Sequence, residues 1–118
     1  MLKKNKWIQI NLEDYGEKKE RNKLFEKLLP DVAGVYVFYF ASGKLYIGST
    51  INLRNRLSDH SVFHEARLRL DIPMAVKYKI CIKYGCWLML EARLIKRLEP
   101  SFNKQFRRPR FYGYQNPI

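Results

Sequence analysis

Two tyrosines, an arginine, a histidine and a glutamate (Tyr36, Tyr46, Arg56, His60 and Glu91) carry the chemistry that this sequence can support. Arg56 offers a planar fork of N–H donors suited to a phosphate oxygen. A tyrosine with an ordinary pKa near 10 is a poor base at neutral pH, so it needs a neighbour that accepts its proton or a positive field that lowers its pKa. His60 could be that acceptor and Arg56 could provide the field, since four residues on one helix put them on the same side. Glu91 is conspicuous for another reason. Trp87, Leu90, Leu94, Ile95 and Leu98 recur at helical spacing as one apolar stripe, and Glu91 falls inside it. A carboxylate there is costly to desolvate unless a cation meets it. Together these groups fit phosphodiester hydrolysis, which needs charge neutralised on the phosphoryl oxygens, a positioned water and help for the leaving oxygen.

Taken singly, each residue also has a plain structural reading. Tyr36 and Tyr46 would serve as strand aromatics, Arg56 as a solvated helix residue, His60 as a structural histidine and Glu91 as a buried ion-pair partner. His60 and His64, with Cys81 and Cys86 downstream, hold the inventory of a structural zinc site, but their order and spacing are not those of a common finger.

The elements that must position these groups are legible from periodicity. Gly34 to Phe40 is almost wholly apolar, as in a central strand covered on both faces, and Ala41-Ser42-Gly43 connects it in a hairpin to a strand over Leu45–Ser49. Ser49, Thr50 and Asn52 offer cap oxygens for a helix that begins near Ile51, turns Leu53 and Leu57 inward and carries Arg56 and His60. Helical character continues from His64 to Leu70, and Asp71-Ile72-Pro73 ends it. Val76, Tyr78, Ile80 and Ile82 alternate with Lys77, Lys79, Cys81 and Lys83 as a third, half-buried strand. A helix follows over Trp87–Leu98. Upstream, Glu13–Leu29 reads as a helix, and Lys6–Ile10 as a short strand or an apolar clasp. The expected fold is α/β of the α+β kind: a small three-stranded, mainly antiparallel sheet flanked by helices.

Composition sets the outer limits. The chain has 118 residues and a formal net charge of +12, a large excess that calls for a polyanionic partner, nucleic acid first. A membrane surface is the weaker alternative, and no apolar run approaches the roughly 20 residues that span a bilayer, so no membrane partner is expected. Two cysteines are too few for a disulfide framework and fit reduced thiols, which places the chain in the cytoplasm or another reducing compartment.

In order and spacing these residues resemble the GIY-YIG nuclease family. Gly34-Val35-Tyr36 stands for the first tripeptide, and Tyr46-Ile47-Gly48 matches the second. Arg56 lies ten positions beyond Tyr46, as the family arginine does, and His60 fits a histidine found in several branches. Glu91 matches the metal-binding glutamate, and Asn103, twelve residues later, matches the closing asparagine. Leu29-Pro30-Asp31-Val32-Ala33 is most similar to the excision-repair incision branch of the family, UvrC.

The resemblance implies a metal-dependent DNA endonuclease. Glu91 would ligate one Mg²⁺ or Mn²⁺ ion, one of Tyr36 and Tyr46 would activate water while the other orients it or touches the phosphate, and Asn103 would orient the metal shell or a catalytic side chain. Lys44, Arg54, Lys104, Arg107, Arg108 and Arg110 are the candidate backbone contacts. The nuclease core is expected over 31–104, with an N-terminal extension over 1–30 and a basic aromatic tail over 105–118. Fifteen residues follow Asn103, so a large second DNA-reading domain is not expected; specificity would be weak or directed at DNA structure. The alternatives are a catalytically silent nucleic-acid-binding module of the same fold, or a nuclease directed at RNA. Oligomeric state is open, with a monomer compatible.

Overall fold

The computed structural model describes residues 6–81, 83 and 85–98. In chain order it builds β1 (Ile8–Asn11), α1 (Lys18–Leu28), β2 (Gly34–Phe40), β3 (Leu45–Thr50), α2 (Leu53–Ser58), α3 (Val62–Leu68), β4 (Pro73–Ile80) and α4 (Cys86–Leu98). The strands form one antiparallel sheet in the order β1-β4-β2-β3. The α+β architecture is the expected one, with a fourth strand. That strand, β1, comes from the segment expected as an extension, and it pairs Ile8 to Asn11 with Tyr78 to Ala75, satisfying an edge of β4 that would otherwise stay open.

The apolar run of β2 has the central place its composition called for, with β4 on one side and β3 on the other. Alternation sends its side chains to two cores. Tyr36, Phe38 and Phe40 join Ile10, Phe25, Leu53, Leu57, Val62, Val76 and Tyr78 under α1, α2 and α3. Val35 and Val37 face the other way, where with Ile47 they meet Trp87, Leu90, Leu94 and Ile95 of α4. The β2–β3 connection closes with Phe40 N–H donating to Lys44 O at 3.1 Å, and Gly43 takes φ +91°, a conformation favoured by glycine.

Three local expectations change. First, α1 starts at Lys18 rather than Glu13; Arg21 on it is buried, donating to the Gly16 carbonyl at 2.7 Å with its guanidinium 4.1 Å from the Phe63 ring centroid. Second, α2 ends at Ser58, so His60 is not a helical partner of Arg56 but sits in the break before α3. Ser58 Oγ donates back to Arg54 O at 2.7 Å, and Asp59 leaves helical geometry at φ −136°, ψ 43°. Third, Cys81 and Cys86, expected as reduced thiols, are joined in a disulfide, because the turn between β4 and α4 brings their Cα atoms to 6.1 Å. Among the described residues no helix is long and apolar enough to cross a membrane.

Candidate active site

Tyr36 projects from β2 directly opposite Gly48 of β3. A Cβ at position 48 would overlap the Tyr36 ring, so the glycine is what allows the ring to lie across the edge strand. The ring is 1% exposed. Its hydroxyl oxygen lies 2.7 Å from His60 Nε2 and is hydrogen-bonded by Arg56. Tyr46, less buried, places its ring edge-on to His60 with centroids 5.1 Å apart. The structure thus brings Tyr36, Tyr46, Arg56 and His60 together at one corner, where β3 turns into α2.

The direction of the His60 hydrogen bond follows from its other nitrogen. Val62 N–H donates to His60 Nδ1 at 3.0 Å, so Nδ1 carries no proton. Burial, and then the nearby Arg56 charge, push the His60 pKa well below its usual value, so the ring is neutral. Its proton therefore sits on Nε2 and is donated to Tyr36. This reverses the sequence-based expectation that His60 accepts a tyrosine proton. Burial, and then the proximity of Tyr46, raise the Tyr36 pKa, while the charge and hydrogen bond of Arg56 oppose the rise. The outcome is a neutral phenol held by two donors. For Arg56, burial is the largest single effect and works against the charged form, but Tyr36, Tyr46 and Asp59 together outweigh it and the pKa ends raised, so the guanidinium stays charged.

Glu91 comes from the other face of the sheet. Ser49 pairs with Val35, so its side chain lies on the α4 side, and its Oγ donates to Glu91 Oε1 at 2.6 Å. The carboxylate is near enough to Tyr36 for its charge to raise the tyrosine pKa. The site therefore straddles β3: tyrosines, arginine and histidine on one face, glutamate on the other. Among the described residues β3 is the edge strand, with no further strand beside it to separate them.

Comparison with known proteins places the chain in a family. The GIY-YIG catalytic domain profile matches residues 32–106, more than half of the chain. The chain belongs to the GIY-YIG family. It is 40% identical over 93 residues to the UvrABC system protein C of Wolbachia pipientis subsp. Culex pipiens, covering 75% of this chain and 15% of that protein. It is 35% identical over 96 residues to the UvrABC system protein C of Neisseria meningitidis serogroup B, covering 77% and 16%. With Excinuclease cho of Salmonella typhi it shares 39% identity over 85 residues, covering 69% and 28%. The chain thus spans between about one seventh and two sevenths of the curated relatives it matches. No solved structure matches.

Within this GIY-YIG domain, a shallow open cleft of about 340 Å³ lies beside Arg56, lined also by Thr50, Ile51, Asn52, Asn55 and Asp59. Asn52 is the residue that caps α2, accepting from Asn55 N–H at 3.0 Å. Arg54 spends donors inside the protein, on Leu29 O at 2.9 Å and Asp31 Oδ2 at 3.0 Å, tying α2 to the turn before β2. Lys44 lies half-buried in the turn just before β3. Asn103, Lys104, Arg107, Arg108 and Arg110 lie outside the described residues.

Ser49, read in the sequence only as a possible cap, and Gly48, read only as the last residue of the second tripeptide, take further parts at this corner. The signal for Gly48 was its place opposite Tyr36, which emerges once the hairpin register is drawn.

If it held a metal, Glu91 would suit a hard divalent cation, as a single half-buried carboxylate braced by the Ser49 hydroxyl. The zinc reading does not fit, because both His60 nitrogens are engaged and both cysteines are joined to each other. Among the described residues no group of three or more His, Cys, Asp or Glu converges.

Proposed function

We propose that this domain is a DNA endonuclease that hydrolyses phosphodiester bonds with the help of one Mg²⁺ or Mn²⁺ ion. The observation that supports it most is the meeting of two half-sites around β3, with Tyr36, Arg56 and His60 on one face and the Ser49–Glu91 pair on the other. Arg56, charged and bordering the open cleft, binds a non-bridging phosphate oxygen and stabilises the charge that builds there. Tyr36, held neutral by its buried setting, positions that guanidinium. Tyr46, the less buried tyrosine, meets the attacking water. Glu91 holds the ion, and Ser49 fixes the rotamer of the carboxylate. When bound, the ion neutralises charge on the phosphoryl and leaving oxygens.

The net charge of +12 supports a nucleic-acid substrate gripped through its backbone, with weak sequence specificity or a preference for DNA structure. Similarity to UvrABC system protein C and Excinuclease cho points to incision during DNA repair as the setting. The test is nicking of supercoiled plasmid with Mg²⁺ or Mn²⁺, with structured RNA in parallel. Wild type is expected to nick DNA only with the metal, and Glu91→Ala and Arg56→Ala to lose nicking while still binding. Binding by wild type without metal-dependent cleavage would overturn the proposal.

A further inference from the structure

Among the described residues, α4 covers only part of its face of the sheet. Over β2 and β3 the helix lays Trp87, Leu90, Leu94 and Ile95 on Val35, Val37 and Ile47. Beyond them the same face continues onto β4 and β1, where the register puts Lys77 between Val37 and Gln9, and Lys79 beside Val35. Two half-buried aromatic rings flank these lysines: Lys77 Nζ lies 5.3 Å from the Tyr39 ring centroid, and Lys79 Nζ lies 5.8 Å from that of Trp7. Neither lysine forms a salt bridge among the described residues. Gln9 and Asn11 complete the strip, hydrogen-bonded to each other at 2.8 Å on the exposed surface.

We infer that this Trp7–Tyr39–Lys77–Lys79 strip is a second nucleic-acid site, which takes an unpaired strand. A sheet surface with aromatic rings on either side of two cations offers stacking to bases and charge to phosphates, and stacking reaches only bases freed from a duplex. The polyanionic occupant follows from charge: the strip carries two lysines and no carboxylate, in a chain of net charge +12. The lysines do not belong to the cleft beside Arg56, since Val37 and Val35, their partners on β2, point away from Tyr36. The strip would hold a single strand while the β3 edge acts on another part of the substrate. Its purpose rests on the nuclease reading, but its existence does not, because the test reads binding alone.

The experiment titrates the full chain with a fluorescently labelled oligothymidine of about 16 nucleotides. Wild type is expected to bind with its tryptophan emission quenched. Trp7→Phe should bind but lose the quench, since Trp87 is part of α4 and packs with Leu90, Leu94 and Ile95 against Val35, Val37 and Ile47, away from the two lysines. K77E/K79E should weaken binding at least tenfold and lower the salt slope by about 1.4, the share of two phosphate contacts. The milder K77Q/K79Q pair serves if charge reversal disturbs the sheet, and should weaken binding in the same direction. Binding by K77Q/K79Q equal to wild type, a quench that survives Trp7→Phe, or displacement by unlabelled duplex as effective as by unlabelled single strand would each overturn the assignment. Nicking that fails with this binding intact sinks the nuclease reading alone.

Discussion

His60 donates its Nε2 proton to the Tyr36 hydroxyl oxygen across 2.7 Å, in a pocket where His60 is 5% exposed and Tyr36 1%. The backbone N–H of Val62 on Nδ1 dictates that direction. A histidine so placed orients a tyrosine; it does not deprotonate it. Arg56 acts on the same hydroxyl, its charge opposing the rise in the Tyr36 pKa.

That relationship makes stability depend on pH. The folded pKa of His60 is depressed by burial and by Arg56, so below about pH 6.5 the unfolded chain takes up a proton that the folded chain refuses. The stabilisation is complete above the unfolded value and is lost as pH falls toward the folded one, at up to about 1.4 kcal/mol per pH unit. Urea unfolding at pH 7.5 and 5.5 should show this loss in wild type and a much smaller one in His60→Gln, which keeps a donor and an acceptor without titrating. Equal losses in both proteins would place the pH dependence elsewhere.

Ser49→Ala isolates the bracing of Glu91. Removing a hydroxyl that orients a metal-ligating carboxylate is expected to cost about 10–100-fold in nicking or in metal affinity. Raising Mn²⁺ should recover part of the loss in Ser49→Ala and none in Glu91→Ala. Activity of Ser49→Ala equal to wild type at limiting metal would remove Ser49 from the site.

Arg56→Lys keeps the charge but not the fork. If the guanidinium both holds Tyr36 and meets phosphate, the lysine variant should lose about 10²–10³ in turnover while its affinity for DNA stays within a fewfold of wild type. Single-turnover nicking beside a binding titration separates the two quantities.

Gly48→Ala forces a methyl group into the Tyr36 ring and should destabilise by about 1–3 kcal/mol, as overpacking does. Gly16→Ala is the control: nothing lies within 4 Å of a Cβ there, so its urea midpoint should not fall.

Leu70 ends α3 with φ 55° and 93% exposure, left-handed backbone without a packing return. Leu70→Gly should stabilise by about 1 kcal/mol, measured by the same unfolding titration.

The parts governed by neighbours along the chain were legible before folding. The apolar run of Gly34–Phe40 announced a central strand, alternation marked Val76–Ile80, and the stripe from Trp87 exposed Glu91 as the carboxylate that broke it, because periods of 2 and 3.6 are written in adjacent residues. Leu53 and Leu57 pointed inward as their spacing required. Tertiary structure alone decided what depends on strand order and on short polar contacts across elements. Pairing of β1 with β4 joins residues nearly seventy positions apart and leaves no local mark beyond a few apolar residues. The helix break that frees His60 from α2 arises from Ser58 and Asp59 geometry, so His60 reaches Tyr36 by a route that helical spacing did not describe. Above all, the meeting of Glu91 with the tyrosine side requires β3 to be the sheet edge. Side chains on opposite faces of a strand cannot touch through the sheet, and only at an uncovered edge can a carboxylate from one face and a phenol from the other share a site.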